Sequence, residues 1–327
     1  MRSGGGLWPA IPRRSSIPLC GIMIPHTLNP GLVAVIGATG RTGLALCRAL
    51  SEAGIPFRPV VRNPDKWRAC GITQPVHAEN DAQVRGADVT RPDQLRHALD
   101  GVSAIVATSH ASHSATIIEA APEQASLILM GSTRKFSAFT DPHSEGVLAG
   151  EQAFLSSGRH GVMLHPTMIY GDPEEQTLRR LARLIRKTHV LPIPDGGRAL
   201  IQPIHQDDVT RCLIAALSRP WNDASTLVIA GPEPVSYADC IRIIARISGV
   251  RAPLILPLPA SLMLHGLALG QRIPALARRP FMSKLEGEIQ RLTENRAFDI
   301  TPMRHILGIE PISLKDGLTR SFSPAQA

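Results

Sequence analysis

The run Val33 to Gly43, VAVIGATGRTG, limits what this chain can fold into more than any other feature. A short apolar segment is followed at once by glycines at 37, 40 and 43, and then by an amphipathic stretch that reads as a helix. In such a strand–loop–helix each glycine answers a separate steric need. Gly37 permits the tight turn, Gly40 places no side chain in the way of a pyrophosphate, and Gly43 lets helix and strand approach. The helix N-terminus adds unsatisfied N–H groups and a partial positive charge at the same point. A dinucleotide-binding loop is therefore expected, with Gly37, Thr39, Gly40, Arg41, Thr42 and Gly43 around the cofactor.

From residue 32 onward, short aliphatic runs alternate with helical patterns, which signals a parallel sheet built from βαβ units. Strands are expected at Leu32–Ile36, Pro56–Val61, Ala104–Ala107, Ser126–Met130, Val162–His165 and Thr226–Ile229. Helices are expected at Arg41–Ala53, Arg91–Leu99, Ser112–Ala121 and Ser144–Ser157. After residue 165 the rhythm loosens and prolines become frequent, as in a lobe assembled from insertions. The fold class is thus α/β, a doubly wound parallel sheet of the Rossmann type with a smaller C-terminal substrate lobe. The core should span 31–165 and be completed by parts of 195–232, with 166–194 and 233–320 forming the lobe and 321–327 a tail. Residues 1–30, rich in Gly, Pro, Ser and Arg and without period, read as a disordered extension in which Met23 offers an alternative start. The proline-interrupted run Ile17–Pro25 makes a poor signal peptide.

Charge and composition narrow the function classes. The formal charge is +8, but the first thirty residues hold Arg2, Arg13 and Arg14 with no acid, so the excess elsewhere is modest. With aromatics at only 4%, a nucleic-acid surface of basic and stacking groups is not expected, whereas a phosphate-bearing ligand suits the charge. The five cysteines are scattered, odd in number and free of C-x-x-C pairs, which argues against a disulfide framework or zinc site and for a reducing, cytoplasmic setting. No metal site is expected. One later helix is sharply two-sided: Leu178, Leu181, Ala182 and Ile185 face one way, and Arg179, Arg180, Arg183, Arg186 and Lys187 the other. Its basic side suits solvent, substrate phosphates or an anionic membrane surface. The apolar run Pro253–Leu269 is broken by Pro253, Pro257 and Pro259 and falls short of the roughly 20 residues that a span requires, leaving lobe packing, a homo-oligomer interface or peripheral membrane contact.

The end of the second strand bears on cofactor choice. An acid about 20 residues past the glycines would bind the ribose 2′-hydroxyl of NAD. Here the sequence reads Val60-Val61-Arg62-Asn63, and Arg41 lies in the glycine loop itself. Two guanidinium groups suit a 2′-phosphate, so NADP(H) is expected in preference to NAD(H).

The segments GATGRTG, VVRNPDK, Ala87-Asp88-Val89, Ala107-Thr108-Ser109, HPTMIYGDP (His165–Pro173) and GGRALIQPIHQDDV (Gly196–Val209) occur in an order that resembles the NAD(P)-dependent epimerase/dehydratase branch of the short-chain dehydrogenase/reductase superfamily. The resemblance covers about residues 32–320. It implies that Asp88 contacts the adenine, that Thr108 and Ser109 lie along the cofactor and that Pro166 borders the nicotinamide. It also implies that Tyr170, Gln202 and His205 face a small-molecule substrate, such as a sugar nucleotide. Asp207 and Asp208 would start a helix beside the cleft, where either could serve as N-cap.

Active members of that family carry Tyr-x-x-x-Lys, and here aligning Glu151 with the glutamate that usually follows places His143 at the tyrosine and Val147 at the lysine. The family's helper hydroxyl would fall at Ser132 or Thr133, with Arg134 and Lys135 adjacent. Imidazole titrates near neutrality, so His143 or His110 is the candidate replacement acid. Two functions follow: an atypical oxidoreductase or sugar-nucleotide epimerase, or a cofactor-binding redox sensor or assembly factor without turnover.

Overall fold

In a computed structural model of the protein, which describes residues 31–73, 82–172, 177–271 and 280–322, seven parallel strands form the central sheet. They are β1 (Val33–Ile36), β2 (Phe57–Val61), β3 (Arg85–Gly86), β4 (Ala104–Ala107), β5 (Ser126–Met130), β6 (Gly161–Pro166) and β11 (Ala224–Ile229), in the spatial order β11-β6-β5-β4-β1-β2-β3. The strand order reverses between β1 and β4. In an open parallel sheet this is where helices leave opposite faces and open a crevice beyond the strand ends.

Both faces are covered, which is why β1 and β4 read as unbroken apolar runs rather than as alternations. Val33 and Val35 point to one face with α1 (Arg41–Glu52), α7 (Gln206–Leu217) and α11 (Thr301–Leu307). Ala34 and Ile36 point to the other, toward α3 (Pro92–Leu99), α4 (Ser114–Ala120) and α5 (Pro142–Leu155). The short helix α2 (Pro64–Arg68) follows β2, and its Trp67 packs edge-on against Phe57 at 6.2 Å.

A third apolar cluster holds the smaller lobe. Leu178, Ala182 and Ile185 of α6 (Thr177–Lys187) meet Ile241, Ile244 and Ala245 of α8 (Tyr237–Ile247), with Leu314 and Leu318 of α12 (Leu314–Phe322) closing over them. Short pairings connect this lobe: β7 (Ile169–Tyr170) with β10 (Ile204–His205), β9 (Leu200–Ile201) with β12 (Val235–Ser236), and β8 (Val190–Pro194) with β13 (Leu254–Leu258). Among the described residues the remaining α-helices are α9 (Ala260–Gln271) and α10 (Pro280–Arg291).

Several expectations shift in detail. α5 starts at Pro142 rather than Ser144, because Asp141 caps it reciprocally with Ser144. A 3₁₀ turn over Ala111–His113 delays α4 to Ser114. α11, expected in the lobe, lies on the sheet, where Met303 and Leu307 fill the cluster beside α7. The first thirty residues and 323–327 fall outside the described residues. Among the described residues no helix is long and apolar enough to cross a membrane.

Candidate functional site

The glycine loop has the shape of a phosphate cradle. Gly37 sits at φ +81°, a conformation that side chains resist, and its carbonyl accepts the Gly40 N–H at 2.8 Å. A methyl group on Gly43 would overlap the Gly37 carbonyl and lie 2.9 Å from the Ala38 Cα, so only glycine allows α1 to start this close to β1. Gly40 is the N-cap of α1 and makes no side-chain capping bond, and the first turn contains no acid. The positive end of the helix is thus open to an anion. Thr42 turns inward and donates to Gln206 Oε1 at 3.3 Å.

Around the loop, Thr108 at the end of β4 donates its hydroxyl to the Ile36 carbonyl at 3.0 Å. The Ser109 hydroxyl beside it is buried without a protein partner, the orphaned polar group that a bound cofactor would satisfy. Arg62 leaves the end of β2, two residues past Val60, whose carbonyl accepts the Gly37 N–H. Arg41 and Arg62 are exposed, and the position following β2 carries no carboxylate. Asp88 accepts the Thr90 N–H at 2.9 Å and its hydroxyl at 2.8 Å, bonds that hold its carboxyl below the usual range, with Arg62 contributing. The uncapped N-terminus of α1 and the orphaned Ser109 hydroxyl fit an NAD(P)H dinucleotide.

The candidate catalytic groups gather where β4, β5 and β6 end. His143, in the first turn of α5, and His110, just after β4, are joined Nδ1 to Nε2 at 3.0 Å, with ring centroids 4.4 Å apart. The Ser112 N–H points at His110 Nδ1 at 3.2 Å, so that nitrogen is an acceptor. His110 then carries its proton on Nε2 and donates to His143 Nδ1, which leaves the Nε2–H as the remaining donor of His143. Both imidazoles titrate below their ordinary value: burial acts first, and the Arg134 guanidinium adds to it. Arg134 is ion-paired with Asp141, the α5 cap.

Of the two hydroxyls, Ser132 accepts the Arg134 N–H at 3.2 Å and remains partly exposed. Thr133 does not act as expected. It is buried and donates to the Pro166 carbonyl at 3.1 Å, a bond that ties the end of β5 to the end of β6. Val147, at the expected lysine position, is buried.

A cation reaches this region from elsewhere. Lys135 of the 3₁₀ turn after β5 bonds both carboxylate oxygens of Glu151, at 2.6 and 2.7 Å, and is about nine-tenths buried. His165 of β6, fully buried, takes the Ser132 N–H on Nδ1 at 3.2 Å and turns Nε2 toward Glu151 at 3.5 Å. Burial, followed by the Lys135 charge, holds His165 well below the usual imidazole range, so it is neutral. This triad was not anticipated. Its members are spread over Lys135 to His165, and only the bare adjacency of Lys135 to Ser132 hinted at it.

The substrate residues implied by resemblance are interior. Tyr170 is 1% exposed, stacks edge-on to His205 at 5.2 Å and donates to the Ser313 carbonyl at 3.4 Å, beneath α12. Burial raises its phenol far above the ordinary value and removes it from acid–base work near neutrality. Gln202 donates to the Gly231 carbonyl at 2.8 Å and accepts the Phe298 N–H at 2.7 Å, so both ends of its amide serve the scaffold. His205 is the N-cap of α7, accepting the Asp207 N–H at 3.2 Å, which displaces Asp207 and Asp208 from the expected role. Asp208 instead takes the Ile312 N–H at 2.8 Å and anchors the approach to α12.

Comparison with known proteins agrees with this geometry. Residues 37–138 match a family of domains described as NAD(P)H-binding. The chain is 24% identical over 225 residues to a NAD(P)H azoreductase of Xenophilus azovorans, a match spanning 67% of this chain and 74% of that protein. It is 25% identical over 251 residues to a ceramide reductase of Caulobacter vibrioides, over 71% of this chain and 75% of that one. The fold superposes on an NADPH-dependent quinone oxidoreductase of Escherichia coli solved with NADPH, with a TM-score of 0.68, 17% identity, and coverage of 89% of this chain and all (100%) of that one. The chain thus carries an NAD(P)H-binding domain over residues 37–138 in a Rossmann-type fold, and neither of its two tyrosines, Tyr170 or Tyr237, has a lysine four residues on.

Proposed function

We propose that the protein is an NADPH-dependent reductase in which the His110–His143 pair replaces tyrosine and lysine as the proton source. The observation that carries this reading is the 3.0 Å bond between the two rings, with the Ser112 N–H on His110 Nδ1, an arrangement that leaves the His143 Nε2–H for a substrate. The loop Gly37–Gly43 and Ser109 would hold the dinucleotide, and Arg41 and Arg62 would meet a 2′-phosphate, which favours NADPH over NADH. When bound, that cofactor supplies hydride. In the singly protonated pair His110 would carry both ring protons, its Nδ1–H on Ser112 Oγ at 2.8 Å; His143 would donate its Nε2 proton to the substrate atom that gains electrons and take the His110 Nε2 proton on Nδ1, which leaves both rings neutral. Ser132 orients the acceptor, and the neutral His165 with the Lys135–Glu151 pair fixes the strand ends beneath it. The reductase names of the relatives support an electron-accepting small molecule as substrate in preference to a sugar nucleotide.

The second reading, cofactor binding without turnover, is favoured by the apolar Val147 where the family's lysine stands. The two separate in one experiment: calorimetric titration with NADPH, followed by a screen of quinone, azo and ketone acceptors for NADPH consumption. Binding with consumption supports the reductase; binding without consumption of any acceptor supports the silent protein. Equal dissociation constants for NADPH and NADH would refute the assigned role of Arg41 and Arg62.

A further inference from the structure

The β8–β13 ribbon of the smaller lobe has an outward face with no polar residue. The two strands are parallel, with Val190 paired to Leu254 and Pro192 to Leu256, so these four residues share one side. All four are exposed, Leu254 at 67%. The other side, with Leu191, Ile193 and Ile255, packs on the lobe cluster. A two-stranded ribbon standing in water should alternate apolar inward and polar outward, and this one is apolar both ways. The chain continues past Pro259 into α9, a helix without a charged residue in which Leu262 and Leu269 are exposed at 60% and 65%. Its polar residues are Ser261, His265 and Gln271, and the exposed leucines suit an apolar environment.

Charge decides what covers this face. Parallel pairing puts both strand starts at one end, and the residues leading into them are basic. Exposed Arg186 and Lys187 close α6 just ahead of Val190, and exposed Arg251 precedes Leu254. His189 joins the strand starts through its carbonyl, which accepts the Leu254 N–H at 2.8 Å. Neither 186–194 nor 248–271 contains an acid, and Glu288 on neighbouring α10 is held by Arg291 at 2.8 Å. An apolar plane with a cationic rim is the chemistry of an interfacial lipid contact: side chains enter the acyl boundary while cations meet the headgroups. A second copy of this chain would bring the same cations to the rim, and like charges would oppose one another there.

We infer that the ribbon face Val190, Pro192, Leu254 and Leu256, together with α9, docks the protein on an anionic lipid bilayer, with Arg186, Lys187 and Arg251 contacting the headgroups. This goes beyond the redox reading and does not depend on it.

The test is co-sedimentation of the full chain with phosphatidylcholine vesicles, with and without phosphatidylglycerol, at low salt and at about 0.5 M salt, where charges are screened within a few ångströms. Binding to the anionic vesicles is expected, falling at least tenfold at high salt. Leu254→Asp with Leu256→Asp should abolish it. Arg186→Ala, Lys187→Ala and Arg251→Ala should each weaken it roughly fivefold. All variants should keep the thermal unfolding and NADPH binding of the parent, since the altered side chains are exposed. Three results would overturn the inference: no vesicle binding by the parent, equal binding to the two vesicle types at both salts, or a stable dimer in sedimentation velocity that the Leu254/Leu256 variant splits.

Discussion

Replacing Gly43 by alanine sets two physical effects against each other, and the structure decides between them. By helix propensity alone, alanine in the first turn of α1 should stabilise the protein by up to about 1 kcal/mol. The added methyl, however, would overlap the Gly37 carbonyl and lie 2.8 Å from Thr108 Oγ1 and 2.9 Å from the Ala38 Cα. Two of these three neighbours are backbone, and the loop cannot yield: the Gly37 N–H is bonded to Val60 at 3.2 Å and its carbonyl to Gly40 at 2.8 Å. Overpacking of this kind costs about 1–3 kcal/mol and exceeds the propensity gain. A net loss of about 1 kcal/mol should lower Tm by roughly 1.5 °C in a chain of this size. The larger effect falls on the cradle, because α1 must move away from the loop whose N–H groups would bind the pyrophosphate. NADPH affinity should drop at least tenfold, about 1.4 kcal/mol or more. Calorimetric titration and thermal unfolding with and without NADPH measure both. Gly266→Ala in α9 is the control, since nothing lies within 4 Å of its added methyl, and it should leave both quantities unchanged or raise Tm. If Gly43→Ala bound NADPH as tightly as the parent with unchanged Tm, the close approach of α1 to β1 would have no part in holding the cofactor.

Further outcomes follow from the same site. Arg62→Glu should weaken NADPH binding about tenfold and leave NADH nearly unaffected, as read by calorimetry with each cofactor, because it exchanges a phosphate-pairing cation for a repelling anion. Lys135→Met leaves the largely buried Glu151 carboxylate unpaired and should cost about 3 kcal/mol in denaturant unfolding, most of it recovered in Lys135→Met/Glu151→Leu. His165 has a folded-state pKa depressed by burial and by Lys135, so the unfolded chain binds the proton more readily. Its contribution to stability is therefore full above the ordinary imidazole range and is lost as pH falls below it. Tm measured from pH 7 to pH 5 should fall, and fall less steeply in His165→Gln.

Much of the cofactor half is legible in the sequence because each requirement there is local. The three glycines, the apolar strand before them and the helix after them are contiguous, and the carboxylate missing after β2 is visible as Arg62. The lobe is not, for a physical reason. Strands such as Ile169–Tyr170, Leu200–Ile201 and Val235–Ser236 span two residues each and leave no period to read. The catalytic region divides in the same way. Resemblance pointed to His143 and the chemistry of imidazole to His110, but their bond joins the loop after β4 to the first turn of α5, a contact that only the sheet order creates. Thr133, Tyr170, Gln202 and His205 lie where the resemblance put them in the chain, yet tertiary packing turned their polar atoms toward backbone partners. Lys135, Glu151 and His165 meet only because β5, α5 and β6 are neighbours in space.

The proton role of the His110–His143 pair is the central claim, and the pH dependence of NADPH consumption tests it most directly. With burial and Arg134 holding both imidazoles below their ordinary value, the protonated pair becomes more abundant as pH falls, so kcat on a turned-over acceptor should rise from pH 8 toward pH 6. His143→Gln should retain NADPH affinity, lose about 10²–10⁴-fold in kcat, as expected for removal of a general acid, and show a flat profile. A His143→Gln enzyme with the parent's kcat and pH profile would contradict the account.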